Sequence, residues 1–466
     1  MSKGKMDMSK VLAILTQPKE ELLPLDNVER LHLEVPYITK EKTVHIRPVR
    51  VLLPCSAKRP MPLIYVPHYE MGEDSVELRD YLSKGWAVAC PAAFDNKYNS
   101  GLTDDDLVFN NAALYTLRNR PEFNRDKIAL VGGSAGGYMA LMLSGLQMNL
   151  CASIANGPIT NVYFNLQHHF NKANELNYAA LAKMEAQQDE PAEQPENPAL
   201  ALLQKLQTLP IPFAAALGGV FAPACTNTSD EIDWAKWEAL SPVGLADCFC
   251  SPVMVNHCTS DILVPVDQIS KRFTYDIPGE SLPKDFSTRI PAEFPGKIGM
   301  SLEECLPVGK TVVRCIKVPE EASEETMIPF DGTKQFNLNI YDDGPVEGYG
   351  THSSRMDVGR RIDLPYLEEM FARTAVNTCI LTPAMLKSLL LRYQGKAVAL
   401  PAHTGVDDAV YGSLAVYQEE VCDTLKWWMD RHTKNELDEI YQTVLLDSRT
   451  DEESMRQAMQ EIFQRT

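Results

Sequence analysis

Short apolar runs alternate with stretches of helical periodicity from residue 43 onward. Five of these runs are almost continuously apolar, which is typical of strands covered on both faces of a parallel sheet. They are Leu63–Pro67, Trp86–Cys90, Lys127–Val131, Cys151–Ala155 and Pro252–His257. Helical spacing fills the intervals at Ser75–Lys84, Asp104–Arg118 and Gly136–Leu146. This order of elements predicts a doubly wound, mostly parallel sheet of the α/β class.

The two ends of this pattern differ from its middle. Before the parallel strands, Leu31–Val35 and Thr43–Leu52 alternate apolar and polar residues, which predicts a leading antiparallel pair. After a further predicted strand at Phe336–Tyr341, the chain turns helical. The predicted helices are Leu364–Arg373, Pro383–Tyr393, Ala409–Arg431 and one amphipathic helix over Asn435–Phe463. We expect that last helix to pack on the core, and its use in a homodimer is the alternative.

Two segments interrupt the alternation of strands and helices. Residues 161–245 carry apolar and aromatic helical pieces without a strand pattern, which predicts a helical cap inserted over the sheet edge. Within them, Glu185–Pro198 is rich in Pro, Glu and Gln and is expected to be an exposed loop. Residues 270–330, rich in Pro and charge, are interpreted as a second insertion, whose role the sequence does not show. The predicted organisation is a core from 1–160 and 246–375, a cap at 161–245 and a helical C-terminal extension at 376–466.

The composition narrows the classes of protein that fit. The chain has 466 residues, 45% hydrophobic and 23% charged, as globular proteins have. Its net charge is −19, from 44 basic and 63 acidic residues, which argues against nucleic acid and anionic membranes as partners. The N-terminal apolar run Val11–Leu15 is too short for a signal peptide or a membrane span, so we expect a cytoplasmic protein. The 11 cysteines include no CxxC pair, which argues against a zinc site or disulfides and favours thiols in a reducing compartment.

The sequence GGSAGG at Gly132–Gly137 follows a predicted strand and opens a predicted helix. It contains the pattern G-x-S-x-G, in which a sharp strand-to-helix turn exposes a strained serine above the sheet. Glycines flank the serine because a Cβ there would collide with neighbouring strands. The pattern predicts Ser134 as a nucleophile and the N–H of Ala135, at the helix N-terminus, as a donor in an oxyanion hole.

Two stretches together resemble a known family. VGGSAGGYMAL, around Ser134, and SPVMVNHCTSDILVPVDQ, around Asp261, look like the catalytic domain of the prolyl oligopeptidase family of α/β hydrolases. The resemblance extends over residues 45–160 and 250–270 and, more weakly, over 330–355. It implies an α/β-hydrolase fold and a triad in the chain order serine, acid, histidine. Asp261, in the turn after a predicted strand, matches the position of the family's acid.

The general base must then be a histidine on the C-terminal side of Asp261, where the chain has three. His352 follows the last predicted strand and precedes a helix, which resembles the family's arrangement for its base. His403 follows the short apolar run Ala397–Leu400 and precedes a long helix, so it is the alternative base. His432 lies in a charged helix and is expected to face solvent. The base takes the serine proton and returns it to the leaving group, while the carboxylate orients the imidazole.

A second oxyanion donor is expected from the loop after Leu63–Pro67, which reads His68-Tyr69-Glu70-Met71-Gly72. Many members of the family carry a Gly-rich HGG-type sequence there, and this chain keeps the histidine without the glycines. The backbone N–H of Tyr69 is the expected donor. Glu70 is the nearest acidic residue that could bind a substrate amine.

The substrate class follows from what surrounds this core. About sixty residues precede the first core strand, too few for the β-propeller that screens substrates in peptidases of this family. Aromatic residues of the cap predict either a pocket for a hydrophobic acyl or alcohol group or the core of the cap itself; they are Phe164, Phe170, Phe213, Phe221, Trp234 and Trp237. We expect a serine hydrolase that cleaves carboxylic esters of small or medium hydrophobic substrates through an acyl-enzyme, without a metal or an organic cofactor. The alternatives are an amidase or peptidase-like hydrolase and a non-catalytic binding member of the fold.

Overall fold

A computed structural model describes the chain at residues 25–38, 43–69, 71–91, 102, 104–168, 232–259, 261, 263–273, 295–317, 330–342, 356–373, 378–395 and 414–466. The strands are β1 Val28–Ile38, β2 Val44–Pro54, β3 Met61–Tyr65, β4 Ala87–Pro91, β5 Phe123–Gly133, β6 Ala152–Asn156, β7 Val253–Cys258, β8 Thr311–Lys317 and β9 Phe336–Asp342. The helices are α1 Val76–Ser83, α2 Asp104–Arg118, α3 Ala135–Leu146, α4 Trp234–Ala239, α5 Pro242–Leu245, α6 Leu302–Cys305, α7 Met356–Ala372, α8 Pro383–Tyr393, α9 Leu414–Met429, α10 Lys434–Leu446 and α11 Glu452–Arg465. Short 3-10 turns lie at Ala246–Cys248, Val266–Gln268, Gly296–Gly299 and Val308–Lys310.

The strands form one sheet in the order β1-β2-β4-β3-β5-β6-β7-β9-β8. β2 pairs antiparallel with both β1 and β4, and every pair from β4 to β8 is parallel. The predicted leading antiparallel pair and the predicted parallel strands are therefore confirmed. A sheet of this kind, whose strand β5 leads through a G-x-S-x-G turn into a helix, is the α/β-hydrolase fold that the sequence predicts.

Helices cover both faces of the sheet because its strands carry apolar side chains on each. One face, with Leu130, Ala155 and Val255, packs against α2 and α3. The other face, with Ile154 and Met254, packs against α1 and α7. The carboxyl ends of the parallel strands meet at one edge, so the residues that follow β3, β5, β6 and β7 are brought together there.

The segment 270–330, which the sequence indicates as a second insertion, supplies the edge strand β8. This strand pairs in parallel with β9 along its whole length, from Thr311 to Lys317. Ile316 is buried and joins the core on the α1 and α7 face. Four of the seven residues of β8 are apolar, but they lie inside a segment rich in Pro and charge, which hides the strand pattern in the sequence.

The C-terminal helices α8, α9, α10 and α11 share a separate hydrophobic cluster, which includes Leu386, Trp428 and Met459 and extends to Met148 and Cys250 of the main body. The single helix predicted over Asn435–Phe463 is wrong, because the chain forms two helices there. Asp447 ends α10, and the side chain of Asp451 caps α11 by accepting the N–H of Ser454. Capping residues of this kind end one helix and begin the next, while the apolar periodicity continues across the break. The periodicity alone therefore predicts one long helix.

These helices dock at the amino end of β5. Arg125 of that strand pairs with Asp423 of α9 at 2.8 Å. Asp126 pairs with Arg431 at 2.6 Å and also accepts the indole N–H of Trp427. The C-terminal region is thus attached to the end of β5 that lies opposite the G-x-S-x-G turn.

Candidate active site

Ser134 stands at a sharp turn between the end of β5 and the start of α3. Its backbone angles are φ +53° and ψ −120°, a conformation that L-residues rarely adopt and that stores about 1–3 kcal/mol of strain. The N–H of Ser134 donates to the carbonyl of Asn156 at 2.8 Å, and the carbonyl of Ser134 accepts the N–H of Tyr138 at 2.9 Å. The serine is half-buried, so its side chain remains accessible at the sheet edge.

Two glycines allow the turn to close around Ser134. A Cβ on Gly132 would lie 2.2 Å from the carbonyl oxygen of Gly136. A Cβ on Gly136 would lie 2.9 Å from the carbonyl oxygen of Pro67, in the loop that follows β3. Both contacts are with backbone atoms that cannot move aside. We call Gly132–Gly137 the elbow, and its glycines have the steric role that the sequence predicts.

Tyr69 meets Ser134 through its side chain. The backbone N–H of Tyr69, which the sequence suggests as an oxyanion donor, donates instead to the carbonyl of Pro67 at 3.0 Å, across a tight turn in which His68 has φ +75°. The Tyr69 hydroxyl is hydrogen-bonded to the Ser134 side chain and accepts the N–H of Ala135. Burial of the phenol raises its pKa above the usual value, and these hydrogen bonds only partly offset the rise. The structure therefore brings Ser134, Ala135 and Tyr69 together, and the hydroxyl of Tyr69 rather than its N–H makes the contact.

The ring of His68 packs against the ring of Tyr69. The two rings meet edge to face with centroids 4.6 Å apart. Burial, together with the positive charge of Arg47, lowers the pKa of His68 to about 4. Arg47 is itself buried in an ion pair with Asp106 at 2.6 Å. A neutral imidazole therefore packs against Tyr69 at physiological pH.

Asp261 follows β7 at the same edge of the sheet, where the sequence predicts the triad acid. The residue is 1% exposed, and its Oδ1 accepts the N–H groups of Leu263 and Val264 at 3.0 and 2.9 Å. Two backbone donors on one oxygen fix the direction of the carboxylate and stabilise its charged form. His257, just before it, is a core residue whose Nε2 lies 2.7 Å from the carbonyl of Val264.

Both candidate bases, His352 and His403, lie outside the described residues. The last histidine, His432, does not face solvent as expected. Its side chain is 13% exposed and stacks on Trp428 with ring centroids 3.9 Å apart. Trp428 lies in the last turn of α9, and His432 lies in the turn between α9 and α10. His432 belongs to the C-terminal helical core and is far from the elbow in the fold.

A cavity of about 520 Å³ lies beside the elbow, on the face covered by α1 and α7. Its described lining contains the carboxylates of Asp74, Glu77 and Asp363 and no Lys, Arg or His. Asp363 of α7 is 1% exposed and accepts the side-chain amides of Asn156 at 3.3 Å and Asn256 at 3.4 Å. The sequence does not single out Asp363, because a carboxylate in an amphipathic helix normally faces solvent and only the strand register places amides opposite it.

The described part of the predicted cap packs into the main core. Phe164 and Trp237 are 5% and 4% exposed. Tyr163 lies edge to face between Trp234 and Trp237, with centroid distances of 4.9 and 5.3 Å. Tyr163, Trp234 and Trp237 thus pack on one another and join the main core. The cap residues Phe170, Phe213 and Phe221 lie outside the described residues.

The described residues contain no cluster of three or more His, Cys, Asp or Glu side chains arranged to bind a metal ion. No disulfide joins the ten cysteines in those ranges. Among the helices described, none combines the length and apolar character needed to cross a lipid bilayer.

No protein-family model and no curated protein matches the chain. Among solved structures, puromycin hydrolase is similar at 11% identity and a TM-score of 0.40, over 74% of this chain and 40% of that one. An acylaminoacyl peptidase from Pyrococcus horikoshii is similar at 13% identity and a TM-score of 0.40, over 80% and 44%. An acetyl xylan esterase from Paenibacillus sp. R4 is similar at 15% identity and a TM-score of 0.35, over 78% and 92%. The chain thus spans less than half the length of the first two.

Proposed function

We propose that this protein is a serine hydrolase that cleaves carboxylic esters of small or medium hydrophobic substrates through an acyl-enzyme. The observation that carries the proposal is the convergence of the Ser134 side chain, the Ala135 N–H and the Tyr69 hydroxyl at the carboxyl end of β5. A strained serine backbone beside a backbone N–H at a helix N-terminus and a neighbouring hydroxyl is typical of a nucleophile and its oxyanion hole.

In the proposed reaction, Ser134 attacks the ester carbonyl while a histidine takes its hydroxyl proton and then returns the proton to the departing alcohol. His352 is the proposed base, and His403 is the alternative. Asp261 orients the imidazole, and the two backbone N–H groups on its Oδ1 set the direction of its other oxygen. Water activated by the same histidine then hydrolyses the acyl-enzyme.

Charge that develops on the substrate carbonyl oxygen is stabilised by Ala135 and Tyr69. On attack, this oxygen replaces the phenol oxygen as the acceptor of the Ala135 N–H, and the Tyr69 hydroxyl donates to it. The raised pKa of Tyr69 keeps the phenol protonated at neutral pH, so it remains a donor. The Ala135 N–H also lies at the first residue of α3, where the helix dipole favours negative charge.

An amidase or peptidase-like activity is the second candidate, and the carboxylates of the cavity favour it. Asp74, Glu77 and Asp363 line the space beside the elbow and would attract a substrate amine, the role for which the sequence offers Glu70. Amino-acid p-nitroanilides, which carry a free amine and an amide bond, distinguish this activity from the hydrolysis of simple esters.

The test is hydrolysis of short- and medium-chain p-nitrophenyl esters by the wild-type protein and by Ser134→Ala. We expect turnover to fall at least about 10⁴-fold in the variant, because the attacking group is removed. The dependence on acyl-chain length then gives the size of the acyl pocket. Turnover of p-nitroanilides alone, lost in Ser134→Ala, would favour the amidase. Silence toward both substrate classes would leave a non-catalytic binding protein.

A further inference from the structure

Four side chains at one level of neighbouring strands form a polar row across the sheet. They are Arg314 on β8, Asn339 on β9, Asn256 on β7 and Asn156 on β6, and each is in register with the next. The three asparagines are 1%, 4% and 7% exposed in that order. We call this row the amide ladder. It lies on the face of the sheet that α1 and α7 cover.

The hydrogen bonds of the amide ladder all run in one direction. Arg314 Nη1 lies 3.4 Å from Asn339 Oδ1, Asn339 Nδ2 lies 2.9 Å from Asn256 Oδ1, and Asn256 Nδ2 lies 2.8 Å from Asn156 Oδ1. The ladder ends on Asp363, which accepts from both Asn156 and Asn256. The amide donors thus point toward the buried carboxylate of Asp363 and supply hydrogen bonds that a buried charge needs, while Arg314 at the other end is half-buried.

Asn156 connects the ladder to the candidate nucleophile. Its backbone carbonyl accepts the N–H of Ser134 at 2.8 Å, while its side chain is held by Asp363 and Asn256. A strained residue keeps its conformation only when its surroundings over-determine it. The side-chain hydrogen bonds of Asn156 therefore help to fix the backbone atom that anchors Ser134.

Asp363 also connects two elements that the proposed reaction needs. It belongs to α7, which begins at Met356, four residues after the proposed base His352 in the sequence. Its carboxylate is bonded to the last residue of β6 and to a residue near the end of β7. One side chain thus ties α7 to the strand that anchors the elbow.

We infer that Asp363 is a positioning residue, which acts through Asn156 to hold the Ser134 backbone in its reactive conformation and holds α7 at the same edge. This inference rests on the proposed function, because it concerns the reactivity of Ser134. Asp363 makes no bond to the substrate in this role. Its removal should therefore slow the reaction of Ser134 more than it weakens substrate binding.

The experiment measures the rate at which a fluorophosphonate probe labels Ser134, together with kcat and KM for the best ester. Asp363→Asn keeps the size of the side chain but replaces one carboxylate oxygen by an NH2 group. One of the two amide donors, from Asn156 or Asn256, then loses its acceptor. We expect labelling and kcat to fall about tenfold with KM within about twofold, because small misplacements of a nucleophile have effects of this size or larger. Asn156→Ala removes the hydrogen bond between Asn156 and Asp363 from its other partner and should show the same loss. The double variant should be no slower than the slower single variant by more than about twofold, since both act in one network.

Asn111→Ala is the matched control. Asn111 is buried on α2, and its Oδ1 accepts from Gln147 Nε2 at 2.6 Å, outside the amide ladder. It should lower the melting temperature about as much as Asn156→Ala while labelling stays within about twofold of wild type. Wild-type labelling in Asp363→Asn, or equal slowing in Asn111→Ala, would overturn the inference. A wild-type protein that the probe does not label at Ser134 would overturn the proposed function itself, and the inference with it.

Discussion

The two ends of β5 differ in kind. At the carboxyl end, Ser134 has a strained backbone and a turn that closes only because of its glycines. At the amino end, Arg125 and Asp126 hold the C-terminal helices by ion pairs of ordinary geometry. Ser134 lies eight positions after Asp126, which is at most about 26 Å of extended chain at about 3.3 Å per residue. One strand therefore links a region held by ion pairs to the strained turn that carries the proposed nucleophile.

The two regions also differ in how closely they follow the usual rules of helix capping, apolar periodicity and backbone conformation. Thr433 and Glu436 form a capping box at the start of α10, and the apolar side of that helix is buried as its periodicity predicts. In the part of the chain that the structure describes, the non-glycine residues with positive φ are His68 and Ser134, and both lie at the carboxyl edge of the sheet. Violations of local rules are thus concentrated where the reactive groups meet, which is typical of functional sites.

The largest expected effect concerns the C-terminal helices, which dock at the amino end of β5. Trp428 is 2% exposed and fills the core between the C-terminal helices. Trp428→Ala should lower the free energy of unfolding by about 3–5 kcal/mol, because it leaves a large cavity. Ester turnover per folded molecule should stay within twofold of wild type, since Ser134 is at the other end of β5. Thermal unfolding and active-site titration measure the two quantities, and a loss of turnover per titrated site would show that the two ends are coupled.

Next in size is the loss of the Tyr69 hydroxyl. Tyr69→Phe should lower kcat about 10²-fold to 10³-fold with KM nearly unchanged, because one oxyanion donor contributes about that much. Tyr65→Phe is the matched control, since it removes a buried hydroxyl that donates to Asn110 Oδ1 at 2.7 Å. The control should lose about 1–3 kcal/mol of stability, because Asn110 is left unsatisfied, and should keep its kcat. Equal losses of kcat in the two variants would contradict the role of Tyr69.

The sequence predicts what depends on local pattern and misses what depends on register. The buried strands and the elbow at Ser134 are readable, because periodicity and glycine spacing are local properties. The sequence predicts that Tyr69 lies near Ser134 but not which of its groups makes the contact. The turn at His68 decides whether its N–H or its hydroxyl reaches Ser134. Asp363 is not readable at all, because its partners come from β6 and β7, about two hundred and one hundred residues away in the chain.

The smallest of the three effects concerns His68, the other strained residue at the carboxyl edge. Its pKa falls from 6.5 to about 4 in the folded protein, chiefly because it is buried. Between these two pH values the unfolded chain binds more protons than the folded one, so stability rises with pH there and is lost as pH falls from 6.5 to about 4. The loss amounts to about 3 kcal/mol, at about 1.4 kcal/mol for each pH unit of the window.

His68→Asn isolates this contribution, because asparagine tolerates the positive φ and does not titrate. The measurement is chemical unfolding of both proteins at several values from pH 7 to pH 4. The difference in unfolding free energy between wild type and variant should shift by about 3 kcal/mol across that range, in the direction that makes the variant relatively more stable in acid. Parallel curves for the two proteins would mean that His68 is not held neutral by its surroundings. In that case the imidazole beside Tyr69 would be charged below about pH 6.5, and the contrast between the two ends of β5 would rest on Ser134 alone.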